Sequence, residues 1–129
     1  MKKNLYIVTL FLLTLNLGGF AQCTPDPIYT TAGIPGVWPD TITGVASGTI
    51  GSAYSQNFTV IVPADTSVTL PPPVGTVTAT INSATITGIS GLPMGLTYTC
   101  DISTCIWPGN TNGCFVISGT PAQAGNFTF

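Results

Sequence analysis

The sequence predicts an all-β domain, a sandwich or a closed barrel, on three observations. Tyr54–Val62 alternates strictly enough to be a strand, with Tyr54, Phe58, Val60 and Val62 on one face and Ser55, Asn57 and Thr59 on the other. Further β-branched runs, Val74–Ile81 and Ala84–Ile89, follow between Gly and Pro turns. Beyond the first residues no stretch carries a helical period. Short strands with turns every ten residues or so are the pattern of β-sandwiches. Alternation in at least two segments separates this chain from a low-complexity Thr-rich stalk.

Taken in order, residues 1–21 read as a secretory signal peptide: Lys2 and Lys3, an apolar run from Leu5 to Leu17, then small residues before a cut after Ala21. The run is shorter than the roughly 20 apolar residues a span requires, so no membrane span is expected after cleavage. A lipidated Cys23 is the competing reading, and Gln22 stands where a lipoprotein signal wants a small residue. Residues 22–48 form a Pro/Gly-rich lead-in. Pro25, Pro27, Pro35 and Pro39 are expected to keep it extended, out of helix and out of central strands. Residues 49–129 are the domain proper, with Pro71-Pro72-Pro73 breaking it.

Leu96–Cys100 and Cys114–Ser118 flank a loop, Asp101–Gly113, that is rich in Gly, Asn and Pro, and the three together read as a long-loop hairpin. Cys23, Cys100, Cys105 and Cys114 are an even set in a chain addressed for export, so disulfides are the expectation. Zinc fits poorly, because the spacing lacks paired C-x-x-C knuckles and the chain has no His. Four cysteines allow three connectivities. The mouth of the hairpin favours Cys100 with Cys114 over Cys100 with Cys105, and either bridge ties the loop down.

Charge excludes several functions. Lys2 and Lys3 are the only cations in the sequence, so the chain from residue 22 has no Lys, Arg or His and only Asp26, Asp40, Asp65 and Asp101 as charged side chains. Such a surface cannot neutralise phosphates, which argues against nucleic acid and against electrostatic attachment to an anionic membrane. His-dependent catalysis is impossible. A carboxylate pair acting on a glycosidic bond remains formally open, but Asp65 and Asp101 read better as turn residues bonding local backbone.

Gly91-Leu92-Pro93-Met94-Gly95-Leu96-Thr97-Tyr98, then Ile117-Ser118-Gly119-Thr120-Pro121 and Ala124-Gly125-Asn126-Phe127, resemble the paired signature of bacterial immunoglobulin-like domains related to the dystroglycan-type cadherin-like class. Gly51–Gln56 is similar to that family's entry into its first long strand, so the resemblance covers Thr49–Phe129. The cysteine-bearing insert and the lead-in ending Trp38-Pro39-Asp40-Thr41 look like versions in secreted multidomain proteins of the Bacteroidetes. The resemblance implies an immunoglobulin-like β-sandwich, one module of a longer exported protein at the cell surface or outside it. It also implies a spacer, adhesive or binding role without catalytic residues. Relatives continue the last strand, so Asn126–Phe129 is expected to be a truncated closing strand with an edge prone to association.

Ligand chemistry is sparse. Calcium would need clustered carboxylates, and no DxD-like cluster is present, so no cofactor is expected. Trp38 and Trp107 each precede a Pro in an expected loop, where a ring could stack on a sugar, although covering the end of a small core is the favoured role. Asp40-Thr41-Ile42 resembles a Bacteroidetes O-glycosylation pattern and marks Thr41. The expected partner is an extracellular protein or a glycan. The first functional reading is a non-catalytic structural, spacer or adhesion module; the alternative is a carbohydrate-binding module using Trp38 and Trp107.

Overall fold

A computed structural model describes residues 23–129, so the signal-peptide segment 1–21 lies outside the described residues. Among the described residues the chain is all-β apart from one short helix. In order it forms α1 (Pro27–Ala32), β1 (Gly36–Trp38), β2 (Tyr54–Val62), β3 (Asp65–Leu70), β4 (Gly75–Thr80), β5 (Ser83–Thr85), β6 (Leu96–Cys100), β7 (Ile106–Pro108) and β8 (Thr111–Gly119). The main sheet has the order β1-β2-β8-β6, and β3-β4 and β5-β7 form two-stranded sheets. All pairings are antiparallel.

The strand read from alternation occupies Tyr54–Val62 as expected, and β6 and β8 pair as the hairpin expected of them, from Leu96↔Gly119 to Cys100↔Phe115. Around the β2–β8 pair the core divides by face. Phe58, Val60 and Val62 join Phe115, Ile117 and Trp107 on the front face, packed against Ile81, Ala84 and Ile86 from the layer that carries β5 and β7. Phe58 and Phe115 are register partners and stack at 4.7 Å with rings 4° apart. Gly113 is buried beneath Trp107; a Cβ there would collide with the indole. The glycine is thus the socket for the largest core side chain.

The back face departs from expectation. Thr59, expected on an outward polar face, is 1% exposed, and its register partner Cys114 is 0% exposed. The cover is the lead-in. Cys23 is disulfide-bonded to Cys114, the Asp26 amide donates to Thr59 Oγ1 at 2.8 Å, and Asn57 Nδ2 donates to the Thr24 carbonyl at 2.8 Å. The lead-in is therefore neither extended throughout nor separate from the domain. Pro27 stands at the start of α1, where a missing N–H costs nothing, and Asp26 caps the helix by accepting from the Ile28 amide at 2.9 Å. Gly36–Trp38 then pairs with β2 as a short edge strand.

Pro71-Pro72-Pro73 breaks the strand run as expected, as the turn of the β3–β4 hairpin, closed by Val74 N donating to Pro71 O at 3.2 Å. No closing strand forms at Asn126–Phe129. That segment packs through side chains, with Phe129 edge-on to Phe58 at 6.3 Å, and lies against Gly91, where a Cβ would strike the Thr128 carbonyl.

The two halves of the signature meet in space. Gly95 (φ +94°) and Gly119 (φ +140°) lie so close that a Cβ on Gly95 would strike the Thr120 carbonyl and one on Gly119 the Gly95 carbonyl. Thr120 N donates to Gly95 O at 3.1 Å and Ala122 N to Met94 O at 2.9 Å. Positive φ and zero side-chain volume are both required here.

Gly113→Ala should destabilise the protein by about 2–4 kcal/mol, since the added methyl either displaces Trp107 or distorts β8. Chemical denaturation followed by tryptophan fluorescence measures it. A loss below about 0.5 kcal/mol would show that Trp107 is not seated on this glycine.

Candidate functional site

The residues singled out in sequence fall in three places. At the hairpin loop, Asp101 sits between β6 and β7 and its carboxylate gathers three donors: the Ile102 amide at 2.9 Å, Trp107 Nε1 at 2.8 Å and the Cys114 amide at 3.2 Å. One local bond fits the turn role expected of Asp101. The other two reach across the loop and fix the buried indole and the start of the β8 core. A buried indole N–H needs such a partner.

Trp107 is 1% exposed, which removes it as a sugar-stacking platform. Its covering role is the one observed, although it sits inside the core instead of at its end. The cysteine pairing also differs from the favoured one. Cys100 bonds Cys105 across five positions and Cys23 bonds Cys114 across 91, so the expected Cys100–Cys114 bridge is not formed. The reason is facial: Cys100 packs against the front core while Cys114 faces the lead-in on the back. All four cysteines are paired. Two disulfides fit an oxidising compartment.

Trp38, at the end of β1, is half-buried. Its ring stacks on Tyr29 of α1 at 5.6 Å and 18°, and Nε1 donates to the Ile34 carbonyl at 2.9 Å. One face of the indole is thus already taken by a helix side chain, in a contact that joins α1 to β1. Asp40 follows in a tight turn, its Oδ1 accepting from the Thr43 amide at 2.7 Å and the Ile42 amide at 3.2 Å. Thr43, first through its amide, holds the carboxyl below its usual range by favouring the ionised form. Thr41 is exposed at this turn.

Thr41 also lines a groove. It has a volume of about 620 Å³ and is walled by Val37, Pro39, Phe58, Ile89, Phe115 and Phe129. A neighbouring cavity of about 370 Å³ lies around Ile50, Tyr54, Leu96, Ile117 and Phe127. Tyr54 OH donates to the Ala46 carbonyl at 2.9 Å and holds the loop that bounds it. These are ordinary dimensions for small-molecule clefts, with mostly apolar walls. No sequence motif marks them, because their walls come from the lead-in and from the unpaired final segment.

Asp26 caps α1, and Asp65 opens β3 as an exposed strand residue in place of the turn role expected of it. Among the described residues no group of three His, Cys, Asp or Glu side chains gathers, and no helix is long and apolar enough to cross a membrane. Comparison with protein-family models, curated proteins and solved structures gives no match.

Asp101→Ala should cost about 2–4 kcal/mol, because it leaves the buried Trp107 N–H and the Cys114 amide without an acceptor. Asp101→Asn should cost less, since its amide oxygen can still accept one of the two. Equilibrium unfolding of both variants tests this; equal and small losses would show that the carboxylate is not the organiser of the loop.

Proposed function

We propose that the protein is a non-catalytic, immunoglobulin-like β-sandwich module of an exported cell-surface or secreted protein, with a structural, spacer or adhesion role. The observation that carries this reading is the Cys23–Cys114 disulfide, which closes a loop of 91 residues around the central strand pair and removes most of the described chain from the path of a pulling force. The polar groups support it. The carboxylates of Asp26, Asp40 and Asp101 are bonded to their own chain's N–H groups, and both indole N–H groups are satisfied internally. The meeting of Gly95 with Gly119 supports the immunoglobulin-like reading, since it gives the paired signature one structural purpose. The disulfides support export.

Carbohydrate binding through tryptophan is the weaker reading, because Trp107 is buried and Trp38 is stacked on Tyr29. A glycan array and a polysaccharide hydrolysis panel on the purified protein separate the two. The proposal expects neither retention nor turnover; retention abolished by Trp38→Ala, or turnover abolished by Asp40→Asn, would overturn it.

Held by its ends in a force instrument, the oxidised protein should release only the residues outside the 23–114 loop. The reduced protein should extend by roughly 300 Å more, at ~3.4 Å per residue over the 91 positions of the loop. Equal extension in the two states would remove the mechanical basis of the spacer reading.

A further inference from the structure

The β3–β4 ribbon stands apart from the core. Every residue of both strands is exposed, and the two strands pair with each other and with nothing else among the described residues. A two-stranded hairpin is marginal by itself in water, and this one exposes an apolar stripe: Val68, Leu70 and Val77 are 42%, 39% and 38% exposed. Register puts Val68 opposite Val77 and Thr66 opposite Ala79 on that face, with Ser67, Thr69, Thr76 and Thr78 on the other.

The outer edge of β4 has a defined set of free groups. Ile81 N donates to Ala64 O at 2.9 Å, so the inward-pointing pairs continue at Thr66/Ala79 and Val68/Val77. By alternation, Thr76, Thr78 and Thr80 aim their N–H and C=O groups away from β3. None of the usual guards is present on this edge. The register runs without a bulge from Asp65↔Thr80 to Leu70↔Gly75, and β4 contains no charge and no proline.

We infer that the outer edge of β4 is a self-association site, at which a second copy of this chain adds its own β4 antiparallel about a two-fold axis through Thr78. The pattern Thr76-Val77-Thr78-Ala79-Thr80 suits that axis. Thr78 exchanges both backbone bonds with its copy, and Thr76 exchanges them with the partner's Thr80. Val77 falls beside the partner's Ala79 on the same face, so two apolar stripes merge across a four-stranded sheet. Self-pairing here brings no like charges together. On the edge of β3 it would carry Asp65 into the ladder, which selects β4.

Sedimentation equilibrium of the purified, disulfide-intact protein tests the inference. The expected result is a concentration-dependent monomer–dimer equilibrium. Thr78→Pro removes the outward N–H at the axis while leaving the β3–β4 bonds in place, and should weaken the dimer at least about tenfold. Thr78→Lys should do the same by setting two ammonium groups opposite each other. Mixing Thr78→Lys with Thr78→Asp should restore a one-to-one dimer, which only contact between the two copies of residue 78 produces. A monomer at every concentration would overturn the proposal and leave the edge to an unlike strand. So would a dimer indifferent to all three substitutions, or a mixture that fails to pair.

Discussion

The fold depends on burying one antiparallel strand pair, β2 with β8, on both faces. Nine register pairs join them, from Tyr54↔Gly119 to Val62↔Thr111. The front is closed by ordinary hydrophobic packing: the Phe58–Phe115 stack, Ile117 and the indole of Trp107 seated on Gly113. The back is closed by a different device. Among the described residues no second sheet covers Thr59 and Cys114; the lead-in does, held by a disulfide and by the Asp26 and Asn57 hydrogen bonds. A buried threonine is tolerable because its hydroxyl accepts the Asp26 amide, so neither polar group is left unpaired.

The second constraint is the shared corner of the two glycine motifs. Gly95 and Gly119 approach so closely that the β6–β8 edge and the chain after β8 must turn together, and the Thr120 and Ala122 amides bond back to Gly95 and Met94. This corner directs residues 121–129 past Gly91 to Phe58, and there they form walls of both grooves. Packing at one end of the sheet therefore shapes both grooves.

Strands whose residues alternate apolar with polar were legible because that period of two leaves a direct mark, even where, as in β2, both faces end up buried. Tyr54–Val62 and the β6–β8 hairpin follow from it, as does the all-β class. The lead-in was less legible. Its prolines suggest an extended segment, yet Asp26-Pro27 is also a cap followed by a first helical position. The burial of Thr59 could not be read from β2 alone, since its cover lies 33 residues upstream. The cysteine pairing was hidden for a similar reason. Sequence placed Cys100 and Cys114 at one hairpin mouth, yet their side chains serve opposite faces. Trp107 next to Pro108 reads in sequence as a loop tryptophan covering the end of the core; only its acceptor, Asp101, and its socket, Gly113, show why it sits inside the core.

The tethered lead-in holds the back face of β2–β8 closed. The direct measurement is equilibrium unfolding and amide hydrogen exchange of a Cys23→Ala/Cys114→Ala double variant against the parent. Opening a loop of this length should cost about 4–5 kcal/mol, with protection lost first in the lead-in, in β1 and at Thr59. A loss below about 1 kcal/mol, with those amides as protected as before, would contradict it.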